Sequence, residues 1–436
     1  MARKRSACGL DPQRLQEFEE SLRREVQIGS LAGAVHLVLR KGRTVYSCAA
    51  GFADVERKRR FTAGTLCRLH GATKPLLSAA FLALVDAGRC CLDDPIDQYL
   101  PFPELLARKA RDAGDNAQKA TLRHLLTMTS GLGYEDCKAY QGLMRSVRQR
   151  RTRRLRSFCK ELLRLPLRSA PGKRYDYSFA YDVLGRVCEE ISGLPLPKFM
   201  SKYLFRPLGM KDTHFTVPAH KKKRQAVLYT SKKLKSKTPR YRLARFRGAS
   251  APGILSGGGG LLSYEDPGLW GSAADYAKFL NALAGGKSPS GRQADLQTVP
   301  RARDRGLLPL AGKNKIWKAS TVRKLWEDSL APFTQPDGRL PGWHDADGSA
   351  EGGWWDFRGL SLLHSYLDLD EPPKRRRGAK PEARNSSSMW FSGGGGAFWT
   401  MEKGGIATVS FVQTLGGRED DTDGLGPLAY RLAPCL

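Results

Sequence analysis

Acyl hydrolysis by a serine and a lysine requires the two side chains three residues apart on a helix, because residues at that spacing share one face. The lysine can then take the hydroxyl proton while the serine oxygen attacks an acyl carbon. The chain contains this spacing literally at Ser157 and Lys160. That pair lies inside an arginine-rich segment, and one accidental match is expected among so many serines and lysines. We therefore do not assign it to catalysis.

Metal and cofactor chemistry has no support in the residue spacing. The nine cysteines show no C-x-x-C motif, and the seven histidines form no metal-ligand pair at helical spacing. Cys67, Cys159 and Cys188 fall in apolar patterns that are typical of buried side chains. The glycine runs Gly257–Gly260 and Gly393–Gly396 lack the G-x-x-x-x-G-K-[S/T] pattern of a phosphate-binding loop. The sequence predicts no metal, no cofactor and reduced thiols in a non-secreted protein.

The charge of the chain is unevenly distributed. The 436 residues can bury a large core, and their formal net charge is +30. Segments 145–160, 221–247 and 374–384 hold most of this excess and contain a single acid, Glu382. Such segments predict attraction to polyanions or to anionic membrane surfaces. No apolar run reaches the roughly 18 to 20 residues that span a bilayer.

Apolar periodicity predicts the elements that would position a site. Residues 9–29 have helical spacing, and residues 34–39 and 44–50 alternate as two strands joined by a turn at Lys41-Gly42. An apolar helix then carries Lys74 and ends at Gly88. Further strands are predicted at residues 397–400 and 406–414, with a turn at Gly404-Gly405.

Several segments resemble motifs of the serine β-lactamase and penicillin-binding protein superfamily. R-L-H-G-A-T-K-P is similar to its S-x-x-K segment, and P-G-K-R-Y-D-Y-S-F is similar to P-G-x-x-W-x-Y-S-N. The matching segments, in the family's order, are residues 68–75, 93–101, 121–132, 171–179, 203–213 and 257–263 with 272–280. Matches in the right order over roughly residues 9–415 make chance resemblance very improbable.

The resemblance implies an α/β (α+β) fold, with an antiparallel sheet flanked by helices, an all-helical lobe, and the site in the cleft between them. We expect residues 1–8 to form a basic arm and residues 9–436 to form one β-lactamase-like domain. The sheet is expected at about 9–90 and 250–436, and the helical lobe at about 91–249. Basic insertions relative to the family are expected at 145–160, 221–247, 288–318 and 372–388.

The family's catalytic residues map onto degenerate positions. In S-x-x-K, Gly71 stands in place of the nucleophile and Lys74 remains. In Y-x-N, Tyr177 keeps the phenol that shuttles protons, but Phe179 replaces the amide that orients lysine and substrate. The strand motif of the K-T-G or H-x-G type corresponds to Ser392–Gly393, without the basic or histidyl residue. Loss of a nucleophile alone costs on the order of 10⁶ in turnover, so we expect an inactive site.

The basic insertions suggest a nucleic-acid contact. Arginine matches phosphate with its planar fork, and Tyr229, Tyr241 and Phe246 interleave with cations as if to stack on bases. In residues 145–156 the arginines fall on every side of a helix, so no apolar stripe is expected there. The candidate contact residues are Arg148, Arg150, Arg151, Arg153, Arg154, Lys221, Lys222, Lys223, Arg224, Lys232, Lys233, Arg240, Arg242, Arg245, Arg375, Arg376 and Arg377.

Three functional hypotheses follow from the sequence. The first is a catalytically inactive structural subunit docked on RNA or another polyanion in a large ribonucleoprotein such as an organellar ribosome. The second is a related serine hydrolase or esterase that uses a non-standard nucleophile, and the third is a subunit of a membrane-associated complex. We expect an intracellular location, mitochondrial or in another organelle, with protein partners and no transmembrane segment.

Overall fold

The computed structural model describes residues 10–100, 119–134, 138–149, 154–236, 238–246, 268–284, 316–333, 340, 358–363, 365–369, 386–393, 397–403 and 405–416. The α-helices are α1 Pro12–Gln27, α2 Thr73–Asp86, α3 Leu122–Leu126, α4 Lys138–Arg148, α5 Leu155–Leu162, α6 Ala180–Ser192, α7 Leu196–Met200, α8 Ala273–Leu283 and α9 Ala319–Lys324. The strands are β1 Gly33–Arg40, β2 Arg43–Asp54, β3 Arg59–Arg60, β4 Cys67–Arg68, β5 Tyr229–Lys233, β6 Tyr241–Arg245, β7 Trp270–Gly271, β8 Arg358–Leu360, β9 Tyr366–Leu369, β10 Ser386–Gly393, β11 Ala397–Glu402, β12 Ile406–Val412 and β13 Thr414–Gly416.

The main sheet joins the two ends of the described chain. Its eight strands run in the order β3-β2-β1-β12-β11-β10-β9-β8, and every neighbouring pair is antiparallel. Strand β1 pairs with β12, from Ala34 opposite Val412 to Arg40 opposite Ile406. This pairing closes the sheet around residues that are far apart in sequence.

Helices cover both faces of this sheet. Strand β1 is buried on both sides, because its alternate side chains face different layers. On one face Phe18 and Leu22 of α1 pack with Ala34 and Val412. On the other face lies the main core, where the Tyr276 ring of α8 packs against Phe411 at 5.8 Å. The expected antiparallel sheet flanked by helices is therefore confirmed.

Local sequence signals agree with the elements near the N-terminus. The helix expected over residues 9–29 is α1, whose N-cap Asp11 accepts a hydrogen bond from the Gln13 backbone N–H. The β1–β2 turn places Lys41 at φ 47° and Gly42 at φ 80°, left-handed conformations that a tight hairpin turn requires. Both strands and the buried helix α2 lie where periodicity predicted them.

The range expected for the helical lobe extends too far. Strands β5 and β6 lie inside residues 91–249 and form a second sheet with β13, in the order β13-β5-β6. Strand β13, at residues 414–416, pairs with β5 in parallel. Because the two strands are far apart in sequence, no local signal identifies this pairing. Among the described residues, no helix combines the length and apolarity needed to cross a bilayer.

Candidate active site and basic surfaces

A short turn at the start of α2 carries the position of the family nucleophile. Residues His70–Ala72 form a 3-10 turn that leads directly into α2 at Thr73. The residues on either side of the turn are held by Leu269: the Leu69 N–H donates to the Leu269 carbonyl at 2.8 Å, and the Leu269 N–H donates to Thr73 Oγ1 at 3.0 Å. Within the turn, the Tyr276 hydroxyl donates to the Ala72 carbonyl at 3.0 Å. Gly71 is the middle residue of the turn, so the fixed backbone there presents no side-chain oxygen.

Lys74 and Tyr177, which are 103 residues apart in sequence, are brought together. Lys74 is 3% exposed, and its Nζ donates to Tyr177 Oη at 2.5 Å. The same Nζ lies 4.7 Å from the centroid of the Tyr177 ring, and that ring is 42% exposed. The arrangement is a buried amine that reaches solvent through a phenol. It could accept and pass on a proton if a nucleophile stood at position 71.

Phe179 belongs to the core and not to the polar side of the cleft. It is fully buried at the N-terminus of α6. Its ring lies 4.7 Å from Tyr134, 5.3 Å from Phe158 and 6.4 Å from Tyr140. Side chains at this position therefore contribute packing, and Phe179 has no amide to orient Lys74.

The third motif lies beside the same turn. Strands β10 and β11 both contact His70–Ala72. In their antiparallel register Ser392 is opposite Phe398 and Gly393 is opposite Ala397. The structure thus gathers the three degenerate motifs around one place, as the resemblance implied. Residues 386–393 contain no lysine or histidine.

His70 was missed by the sequence reasoning. Its backbone has φ 43°, a left-handed conformation that is unusual for a residue other than glycine. The ring is 8% exposed, and neither ring nitrogen has a hydrogen-bond partner among the described residues. Burial, reinforced by the charges of Arg68 and Lys74, lowers the His70 pKa to about 4, so the ring is neutral at pH 7. Its position directly before Gly71 was visible in the sequence, but its backbone geometry and burial were not.

The literal S-x-x-K match is on the surface. Ser157 and Lys160 both lie on the exposed face of α5, whereas Phe158 and Cys159 point into the core. Cys67, Cys159 and Cys188 are buried, as expected, and burial raises the pKa of each thiol. No group of three metal-ligating side chains occurs in the part of the chain that the structure describes.

The cations of residues 221–224 are partly used inside the protein. They form a 3-10 turn in which Lys222 and Lys223 are exposed. Arg224 donates to both carboxylate oxygens of Asp212 at 2.9 and 2.7 Å, and Lys221 Nζ lies 2.9 Å from Asp212 Oδ1. Burial opposes ionisation of Asp212, but the hydrogen bonds from Arg224 and Lys221 outweigh it and lower its pKa to about 2. Lys221 and Arg224 are therefore internal cross-links.

Strands β5 and β6 form a hairpin, named here the basic hairpin, which displays many of the remaining candidates. Lys232, Lys233, Arg240, Arg242 and Arg245 are all exposed on it or at its end. Of the aromatic residues expected among them, Tyr241 and Phe246 are partly exposed but Tyr229 is buried. Tyr229 is 2% exposed, and its hydroxyl accepts from the Val55 N–H at 2.9 Å. The expectation that Tyr229 stacks on bases is wrong, because the strand turns this ring inward.

The expectation for residues 145–156 also needs correction. Val147 extends the buried face of α4, and Leu155 begins the buried face of α5. An apolar stripe does exist, because α4 begins before residues 145–156 and α5 ends after them, and each helix has a buried face. Arg154 is exposed at the N-terminus of α5.

Other candidates lie outside the described residues. The backbone of Arg148 is described but its side chain is not, and the same holds for Ser392. The fully undescribed positions are Arg150, Arg151, Arg153, Arg375, Arg376, Arg377, the arm 1–8 and most of the insertions 288–318 and 372–388.

The sheet, its helices and the degenerate motifs define a protein of the β-lactamase and penicillin-binding-protein class. The sequence model of the Beta-lactamase family matches residues 18–426, and the chain belongs to that family. Esterase EstB of Burkholderia gladioli is 33% identical over 283 residues, which are 61% of this chain and 68% of EstB.

Solved structures show the same fold. EstCE1, described as a hydrolase with promiscuous acyltransferase activity, superposes with a TM-score of 0.66 at 20% identity and covers 97% of this chain and 98% of its own. The LovD6 mutant of simvastatin synthase from Aspergillus terreus has a TM-score of 0.67 at 22% identity and covers 99% and 98%. At these identities the likeness concerns the fold alone.

Proposed function

We propose that this protein is a non-catalytic member of its family, which acts as a structural subunit docked on RNA in a large ribonucleoprotein such as an organellar ribosome. One observation carries the proposal. Gly71 occupies the nucleophile position beside an otherwise assembled Lys74–Tyr177 pair. A base without a nucleophile cannot form an acyl-enzyme.

Phe179 supports the loss of catalysis independently of Gly71. Its ring is surrounded by other aromatic rings, so the orienting amide has been exchanged for core packing. Phe179 therefore contributes to the stability of the core, whereas the amide of an intact site would orient the lysine and the substrate. Two separate catalytic positions, Gly71 and Phe179, have therefore both lost the functional group that the family uses.

The charge distribution supports docking on RNA. The formal net charge is +30, and exposed cations cluster on the basic hairpin and at Lys222 and Lys223. Neutralising phosphates with such side chains releases condensed counterions, which drives binding with little sequence specificity. An organellar location remains part of this proposal.

The proposal is tested by isolating the native protein at low salt with and without nuclease treatment. We expect sedimentation with a large particle that nuclease or high salt disrupts. A Lys74→Met variant should remain bound to the particle, because the amine has no catalytic task. Association that is unchanged by nuclease and by salt contradicts the proposal. Turnover of an ester that depends on Lys74 contradicts it as well.

A second candidate is hydrolysis with a non-standard nucleophile. The 2.5 Å Lys74–Tyr177 hydrogen bond favours it, as does the neutral His70 beside Gly71, whose ring has no hydrogen-bond partner among the described residues. EstB is an esterase by name. Hydrolysis of a p-nitrophenyl ester by the wild-type chain, abolished in Tyr177→Phe but retained in a Lys160→Gln control, would establish this candidate. The absence of that Tyr177-dependent turnover removes it.

A further inference from the structure

We infer that one face of the basic hairpin is the RNA contact of this protein, and that it binds the phosphate backbone of duplex RNA rather than exposed bases. This inference rests on the proposed RNA docking. It also names which of the basic segments makes the contact.

The strand register assigns the hairpin side chains to two faces. Lys232 is directly opposite Arg242, and Thr230 is opposite Ala244. The Leu234 N–H donates to the Arg240 carbonyl at 2.9 Å, which continues the same alternation beyond the strands. Because side chains alternate across a strand, Lys232, Arg240 and Arg242 share one face, called here the outer face.

The opposite face is fixed to the rest of the protein. Tyr229 also donates its hydroxyl hydrogen to Glu56, and Ser231 Oγ donates to the Gly29 carbonyl at 3.3 Å. The Tyr241 N–H donates to the Ile28 carbonyl at 2.8 Å. The approach at Gly29 is so close that a Cβ there would lie 2.6 Å from the Tyr241 carbonyl oxygen. The outer face is thus carried on an anchored element, which lowers the entropy cost of binding.

The outer face has positive charge without an ion-pair partner among the described residues. Lys232, Arg240 and Arg242 are exposed, and none forms an ion pair with the described residues. Like charges directly opposite on two strands destabilise a hairpin, so Lys232 and Arg242 oppose folding in the free protein. A bound row of phosphates relieves this repulsion. The 221–224 turn is a weaker candidate, because Lys221 and Arg224 are already engaged with the carboxylate of Asp212.

The composition of the outer face decides the kind of partner. Residues two apart on a strand are about 7 Å apart, so the cations form a closely spaced row that suits a phosphate backbone. Tyr229 and Tyr241 belong to the other face. Phe246 follows the alternation onto the outer face, but it lies beyond the end of β6 and is only partly exposed, so the described residues offer at most one ring there for base stacking. Duplex RNA is recognised through its shape, phosphates and 2′-hydroxyls, without unstacked bases. Among the described residues of this face, Leu234 is the one large hydrophobic side chain that is exposed, which is too little apolar area for insertion into a bilayer.

The test compares two variants of the full chain that lose equal charge. One is Lys232→Gln/Arg240→Gln/Arg242→Gln. The control is Lys173→Gln/Lys198→Gln/Lys324→Gln, in which all three cations are exposed but lie outside the candidate RNA-contact residues. Binding is measured against duplex RNA of about 16 base pairs, the length that compact duplex-binding domains span. Single-stranded RNA of equal length and phosphatidylserine vesicles are the other two arms. Thermal melting shows that both variants are folded.

We expect the hairpin variant to weaken duplex binding at least about tenfold and to lower the slope of log K against log salt by about 2 to 3, since each phosphate contact contributes about 0.9. The control should change affinity less than about threefold. Equal weakening by both variants overturns the assignment to the hairpin while leaving RNA docking intact. Tighter binding to single strands, or a hairpin effect on vesicles alone, overturns the duplex partner. Wild-type protein that binds no RNA removes the proposed function and this inference together.

Discussion

Replacing Gly71 with serine should return part of the lost chemistry. Gly71 is not among the glycines with positive φ, so its backbone accepts a side chain without left-handed strain. A serine there would lie three residues before Lys74, whose amine is already hydrogen-bonded to Tyr177 at 2.5 Å. The new hydroxyl would meet a base that is in place.

The expected gain in the rate of ester hydrolysis follows from which catalytic groups Gly71→Ser would restore and which stay absent. Loss of the nucleophile costs about 10⁶ in turnover in a complete serine enzyme. The amide that Phe179 replaces stays absent, and removal of one such polar group from a catalytic site costs about 10² to 10³. Gly71→Ser should therefore hydrolyse an activated ester about 10³ to 10⁴ times faster than the wild-type chain.

The assay combines p-nitrophenyl ester hydrolysis with labelling by a fluorophosphonate. Gly71→Ala, which adds a methyl group without a hydroxyl, is the matched control and should remain unlabelled. Adding Lys74→Met to Gly71→Ser should abolish the gain. A folded Gly71→Ser protein that is neither labelled nor active would refute the view that Lys74 and Tyr177 form a retained base.

Three further predictions concern the scaffold. Phe179→Ala should lower the free energy of unfolding by about 3 to 5 kcal/mol in urea titrations, because the ring is fully buried, and a loss below about 1 kcal/mol contradicts its role in the core. Burial lowers the His36 pKa from 6.5 to about 4, so stability is complete above pH 6.5 and falls as the pH drops towards 4. His36→Phe should therefore reduce the slope of unfolding free energy over that pH window by about 1.4 kcal/mol per unit, and an unchanged slope refutes the assignment. Asp212→Asn should lower the melting temperature by weakening the cross-links to Arg224 and Lys221, and an unchanged melting temperature means that they contribute nothing.

Local patterns were sufficient for much of the fold. Asp11 and the apolar spacing after it indicate α1, and Lys41-Gly42 has the turn chemistry that joins β1 to β2. The positions of Gly71, Lys74 and Tyr177 followed from the family resemblance, and the structure places the latter two in contact. These features depend on residues that are close in sequence or that belong to recognisable motifs.

Other features depend on contacts that the sequence does not encode locally. The parallel pairing of β5 with β13 joins Tyr229 to Thr414, 185 positions away in sequence. The inward Tyr229 ring contacts Val55 and Glu56 through its hydroxyl, and those residues are also distant in sequence. The ion pair between Arg224 and Asp212 engages one of the predicted RNA contacts within the protein. The left-handed backbone of His70 arises from the turn that the surrounding strands hold in place.

The most direct test of the central claim is the intact mass of the wild-type protein after prolonged incubation with a fluorophosphonate and, separately, with a fluorescent penicillin. An unchanged mass in both cases is expected, because the turn at Gly71 offers no oxygen to acylate or phosphonylate. A stoichiometric mass increase that peptide mapping places within His70–Lys74, at Tyr177 or on another residue beside that turn would contradict it.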